Sequence, residues 1–220
     1  MSAPEVPSAA LRARVLASAT AEPVRRTRAR IASALVLGLA CSFALGVFLA
    51  RGGVRITGRP ESLVGLTAGG AAAITFLIAW LALARGRSML GRSTPALLAV
   101  VVLAPLALLA WKLATTMGQP GMMRFWPERL GWRCLRLSLA ISAAPLTALI
   151  LLRRGKDPVH PIAWGAVMGA AVGAFSWTLV DLWCPVAYVP HLLLGHVLPL
   201  VLVTGAGALM GRLLLAPRAT

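Results

Sequence analysis

"PIAWGAVMGAAVGAFSWTLVDLW", residues 161–183, decides how the rest of the chain is read. Its single ionisable residue, Asp181, lies near the far end, and its length matches the roughly 20 residues that an α-helix needs to cross a bilayer. Gly165, Gly169 and Gly173 recur at every fourth position and share one stripe of a helix. In lipid, helices associate by close van der Waals packing rather than by hydrophobic drive, and small residues let their backbones approach. Gly207 and Gly211 repeat the spacing further on. The two stripes predict a packing seam, either between these segments or with a second copy of the chain.

Working outward, five more apolar runs appear, at roughly residues 31–50, 63–84, 95–112, 135–152 and 192–214. Pro105, Pro145 and Pro199 fall inside three of them, which membrane helices tolerate when neighbours satisfy the freed carbonyls. With 59% hydrophobic residues and a mean hydropathy of +0.82 over 220 residues, a soluble domain is excluded, because too little polar surface remains to cover a core. The fold class is all-α: a polytopic membrane protein with a bundle of six transmembrane helices. The reading divides the chain into a cytoplasmic tail (1–30), a membrane domain (31–215) and a short cytoplasmic C-terminus (216–220). The polar, arginine-rich start carries no apolar signal-peptide core before Ile31.

The 22 Lys+Arg against 6 Asp+Glu give a net charge of +16. These charges sit between the apolar runs, as topology signals and lipid headgroups require, rather than on a face for direct nucleic-acid contact. With the N-terminus inside, 14 basic residues lie on the inner side. The outer side holds 8: Arg51, Arg55, Arg59, Lys112, Arg124, Arg129, Arg133 and Arg136. The bias predicts that both termini are cytoplasmic. Trp80 and Trp164 fall near the inner boundary, and Trp111, Trp126, Trp132 and Trp183 near the outer one, as aromatic belts.

The tail contains "PSAALRARVLASATAEP", which reads as a short helix from Ser8 to Pro23. Leu11, Val15 and Ala19 share one face, with Arg12 and Arg14 flanking it. So short a helix is marginal alone in water, so it orders on a partner or on lipid.

The topology also gathers chemistry at the outer side. Cys134 begins the fourth helix there and Cys184 ends the fifth; Asp181 precedes Cys184 by three residues, His191 opens the sixth helix and His196 lies about a turn deeper. Thiolate with imidazole suits zinc, cadmium or copper(I), and Cys134, Cys184, Asp181 and His191 are the candidate ligands. Two thiols facing an oxidising compartment also suit a reversible disulfide. A third reading is polar trim, with Asp181 paired to Lys112, Arg133 or Arg136. A heavy-metal ion enters here as a signal; no cofactor is required. Cys41, in mid-helix, reads as packing, and Met117, Met122 and Met123 place soft sulfurs on the longest outer loop. Nucleophile-elbow, zinc-protease and phosphate-loop motifs do not occur, so the chain reads as a non-enzyme. Nearly bare helix centres argue against a small transporter or channel subunit, the alternative function.

Two stretches, "CLRLSLAISAAPLTALILLRRGKDPVHPIAWGAVMGAAVGA" and "WCPVAYVPHLLLGHVLPLVLVTGAGALMGRLLL", resemble the NrsF-type membrane anti-sigma factors. The order is a cysteine, a helix-four proline, an arginine pair, a glycine stripe, a Cys-Pro junction and a glycine-rich last helix. The leader "PSAALRARVL" is similar too. The resemblance implies a six-helix protein that holds an extracytoplasmic-function (ECF) sigma factor at the bacterial inner membrane and releases it under stress. It implies signal-sensing roles for Cys134 and Cys184. Leu11, Arg12, Arg14, Val15 and Leu16 are then the candidate sigma-binding residues. A light-responsive regulator of carotenoid synthesis is similar in length and helix number, so metal, redox and light all stand as stimuli. "HLLLGH" after the Cys-Pro junction departs from the aromatic pair usual in the family.

Overall fold

A computed structural model describes residues 31–54, 59–83, 93–124, 130–154 and 160–215. The tail 1–30, with Leu11, Arg12, Arg14, Val15 and Leu16, and the terminus 216–220 lie outside the described residues.

Among the described residues, six helices are long and apolar enough to cross a membrane, which makes this a multi-pass membrane protein. They are α1 (Ile31–Ala50), α2 (Glu61–Leu83), α3 (Thr94–Thr116), α5 (Trp132–Arg153), α6 (Pro161–Trp183) and α7 (Val189–Leu214). A short helix, α4 (Pro120–Met123), interrupts the connection between α3 and α5; composition gave no sign of it. The chain divides into two units after Leu39. Residues 31–39 are the described part of the first and are helical; everything below concerns the second, from Ala40 onward.

Prolines in the first turns of α3, α6 and α7 fit positions whose N–H would have no helical partner anyway. Glu61 in the first turn of α2 matches the positive end of the helix dipole. Helix α3 continues four residues beyond the expected limit of 112. Lys112 reads in sequence as the charge that ends a span, but it is buried and ion-paired, so the helix carries on to Thr116.

Helix α6 lies at the centre, packed against α2, α3, α5 and α7. The share of its span buried by protein is 72%, against 22% for α2 and for α3, so those two present most of their surface outward. The α6–α7 contact is built on glycine. A Cβ on Gly165 would land on the Gly207 carbonyl, and one on Gly169 would lie 2.5 Å from the Val203 oxygen. Gly211 meets the Pro161 carbonyl and Gly165 in the same way, and Gly173 takes the Leu200 side chain. The stripes therefore face each other within one chain. Across α2 and α6, Thr75 Oγ1 donates to the Ala174 carbonyl at 3.0 Å and lies 2.9 Å from Thr178 Oγ1.

Two tryptophans are packing residues rather than belt residues. Trp111 stacks over Gly70, where a Cβ would collide with the indole, and its Nε1 donates to the Thr67 carbonyl at 3.1 Å. Trp164 is buried in the first turn of α6 with the Arg153 guanidinium 5.2 Å above its ring. Trp80 and Trp132 are exposed, as belt positions require.

Candidate functional site

Four side chains converge where α5 begins, α6 ends and α7 begins. Cys134 is in the first turn of α5, Cys184 directly follows α6, His191 is in the first turn of α7, and His196 lies further along α7. All four are buried, and one ligand atom from each lies within 4.8 Å of the others. His191 Nε2 is 3.1 Å from Cys184 Sγ and 3.6 Å from Cys134 Sγ, so two sulfurs share one ring nitrogen.

His196 joins this group because α7 is not a uniform α-helix. At about 100° per residue, positions 191 and 196 of an α-helix would point roughly 140° apart. Residues Leu193–Val197 instead form a π-helical turn, whose i→i+5 bonding brings residues five apart back into register. Pro199 follows at once; it has no N–H to give the Gly195 carbonyl, so the regular ladder is already broken there. The His191 and His196 ring centres end 5.7 Å apart, and Trp177 stands 5.1 Å from His196. Neither nitrogen of His196 has a hydrogen-bond partner, although the residue is 1% exposed.

Two glycines let the backbone close around these groups. Gly131, which caps α5, has φ +100°, a conformation that disfavours any residue with a Cβ. A Cβ there would lie 3.0 Å from the Gly195 nitrogen, and one on Gly195 would lie 3.0 Å from Cys134 Cβ.

Asp181 turns elsewhere. Its carboxylate binds Lys112 Nζ at 2.6 Å with both side chains 2% exposed, so the candidate set drawn from sequence changes by one member: His196 is in and Asp181 is out. Arg59 is buried beside this pair. Its Nη1 donates to the Asp181 carbonyl at 3.0 Å and its Nη2 to the Leu182 carbonyl at 2.7 Å, satisfying carbonyls that the end of α6 leaves open. Burial lowers the Arg59 pKa, and the charges of Asp181 and Cys184 act against that shift. Lys112 and Arg59 were both counted as outer topology charges, but each is consumed by structure.

The Cys184 thiol is held well below the usual thiol range, first by its hydrogen bond with Cys134, then by the neighbouring imidazoles, all against desolvation. A thiolate there is the soft donor that zinc, cadmium and copper(I) prefer. Tetrahedral bonding at Zn–S and Zn–N lengths places ligand atoms about 3.3–3.8 Å apart, so the His191–sulfur distances need little change. Two thiols and two imidazoles, all four buried, fit a closed four-ligand site. Cys41 is half-buried in α1, apart from this group. Of the loop methionines, Met122 is buried and uses its carbonyl, which accepts from the Ala187 N–H at 2.7 Å, while Met117 is exposed.

The family described as negative regulator of sigma F (NrsF) matches residues 16–216, and the chain belongs to it. No curated protein and no solved structure matches the chain.

Proposed function

We propose that this chain is a membrane anti-sigma factor that holds an ECF sigma factor at the cytoplasmic face of the bacterial inner membrane. It releases that factor when the Cys134–Cys184–His191–His196 centre changes state. The match to negative regulators of sigma F along residues 16–216 carries this reading. The action is sequestration, not catalysis. The tail supplies the contact, with Leu11, Val15 and Leu16 as apolar anchors and Arg12 and Arg14 as the polar rim, an array of the kind that groove recognition uses.

Among the stimuli, a thiophilic cation is favoured by the two buried imidazoles beside the thiols, since a disulfide would use the sulfurs alone. The centre joins the start of α5 to the end of α6 and the start of α7. Helices α6 and α7 are locked by their glycine seam, so ligation moves them as one body relative to α5. Sigma affinity changes only if the bundle has two packings that bind sigma differently.

The test is co-sedimentation of the sigma factor with membranes. The full chain should carry the sigma factor into the membrane fraction, and deletion of residues 1–20 should leave it soluble while the bundle still inserts. Equal capture by the truncated chain would remove the tail from the contact; no capture by the full chain would end the proposal.

A further inference from the structure

Beside the thiol–imidazole centre, but separate from it, a cleft of about 470 Å³ opens between α1, α5 and the end of α6. Three arginines line its rim: Arg51, just past the end of α1, and Arg133 and Arg136 in the first turns of α5. Among the described residues, no acidic side chain lines it. The nearby carboxylate of Asp181 is taken by Lys112. Cations at a helix N-terminus oppose the helix dipole, so Arg133 and Arg136 stand where an anion would be favoured and they are not. Further in, the lining turns apolar, with Val47, Leu137 and Ala140. Phe43, one turn below Val47 on α1, is exposed and continues the apolar strip toward the middle of the span. Trp183 on the lining and exposed Trp132 nearby mark the level of the membrane–water boundary.

We propose that this cleft binds one anionic phospholipid, its phosphate among Arg51, Arg133 and Arg136 and its acyl chain along Val47, Leu137 and Phe43. A cationic rim over an apolar floor, placed at the boundary, matches a molecule that is charged at one end and hydrocarbon at the other. Arginine suits the role because its planar fork donates two parallel hydrogen bonds to phosphate oxygens. The cleft shares Leu137 and Trp183 with the packing around Cys134 and Cys184, so a bound lipid rests on two of the helix ends that hold the centre, the start of α5 and the end of α6. The proposal does not depend on the identity of the sigma factor or of the signal.

The test is lipid retention by the detergent-purified full chain, read by native mass spectrometry after exposure to equal phosphatidylglycerol and phosphatidylcholine. Phosphatidylglycerol should be retained in preference, at one molecule per chain, and each Arg→Gln change at Arg51, Arg133 or Arg136 should weaken retention about fivefold. Arg154→Gln, at the opposite end of α5, should leave it unchanged. Ala140→Trp keeps every charge but fills the floor, and should also abolish retention. Equal retention of both lipids, or wild-type retention by the triple arginine variant, would overturn the proposal. So would full displacement of the lipid by millimolar inorganic phosphate, because the cleft would then be a plain anion site.

Discussion

Helices α6 and α7 meet twice, and the two meetings use opposite chemistry. Along most of their length the contact is a dry glycine seam, backbone against backbone, with Gly165, Gly169, Gly207 and Gly211 leaving no room for a Cβ. At one end the same pair spreads around thiols, imidazoles and a buried ion pair. The seam has one good packing and resists any other. The polar end holds thiols and imidazoles, groups whose chemistry lets a metal or an oxidant bind or link them. A regulator benefits from this division, because a rigid pair carries a local change at its end across the membrane, whereas a soft pair would absorb it.

The contrast can be broken most severely at the ion pair. Asp181→Ala leaves Lys112 buried without its partner, and should cost about 3–5 kcal/mol in detergent unfolding titrations. Lys112→Met with Asp181→Leu removes both charges and should recover most of that loss; equal damage from the double change would show that the pair does more than cancel its own burial. At the seam, Gly207→Val forces a side chain onto the Gly165 carbonyl and should cost about 1–3 kcal/mol by the same titration. A neutral result would mean that the helices are not in backbone contact there. Arg59→Gln removes the cap on the end of α6 and should cost about 1.5 kcal/mol, with faster amide exchange at residues 181–184. His196→Phe sharpens the comparison from the other side. It keeps an aromatic ring beside Trp177, one ring atom larger, and should change stability by no more than about 1.5 kcal/mol, while weakening cadmium binding at least about 100-fold.

The same division explains what the sequence made legible. The six spans and both glycine stripes were readable because each is a local pattern, apolar length in one case and four-residue spacing in the other. The end of α3 lies past Lys112 because pairing with Asp181, 69 positions away (181 minus 112), lets that charge stay inside the helix instead of ending it. Asp181 shares a helical face with Cys184, which suits a ligand, and a depth with Lys112, Arg133 and Arg136, which suits an ion pair; the sequence offers both readings, and the structure takes the pairing with Lys112. In sequence, His196 is a neighbour of the candidate ligands but not one of them. Regular helical geometry turns it away from His191, and only the π-helical turn brings it back. The "LLGH" run just before Pro199 is the available signal, a proline-broken ladder beside a histidine. Arg59 carries no local mark at all, since its acceptors are backbone carbonyls of a distant helix end.

The account stands or falls on whether the thiol–imidazole end governs the grip on the partner. The direct measurement is cadmium titration of the detergent-purified complex with its sigma factor, following the fraction of sigma factor that stays bound. The wild-type chain should lose its sigma factor as one equivalent of cadmium binds, and the Cys134→Ser/Cys184→Ser variant should keep it throughout. Release from that variant at the same cadmium concentration, or retention by a wild-type chain that has bound its equivalent, would contradict the account.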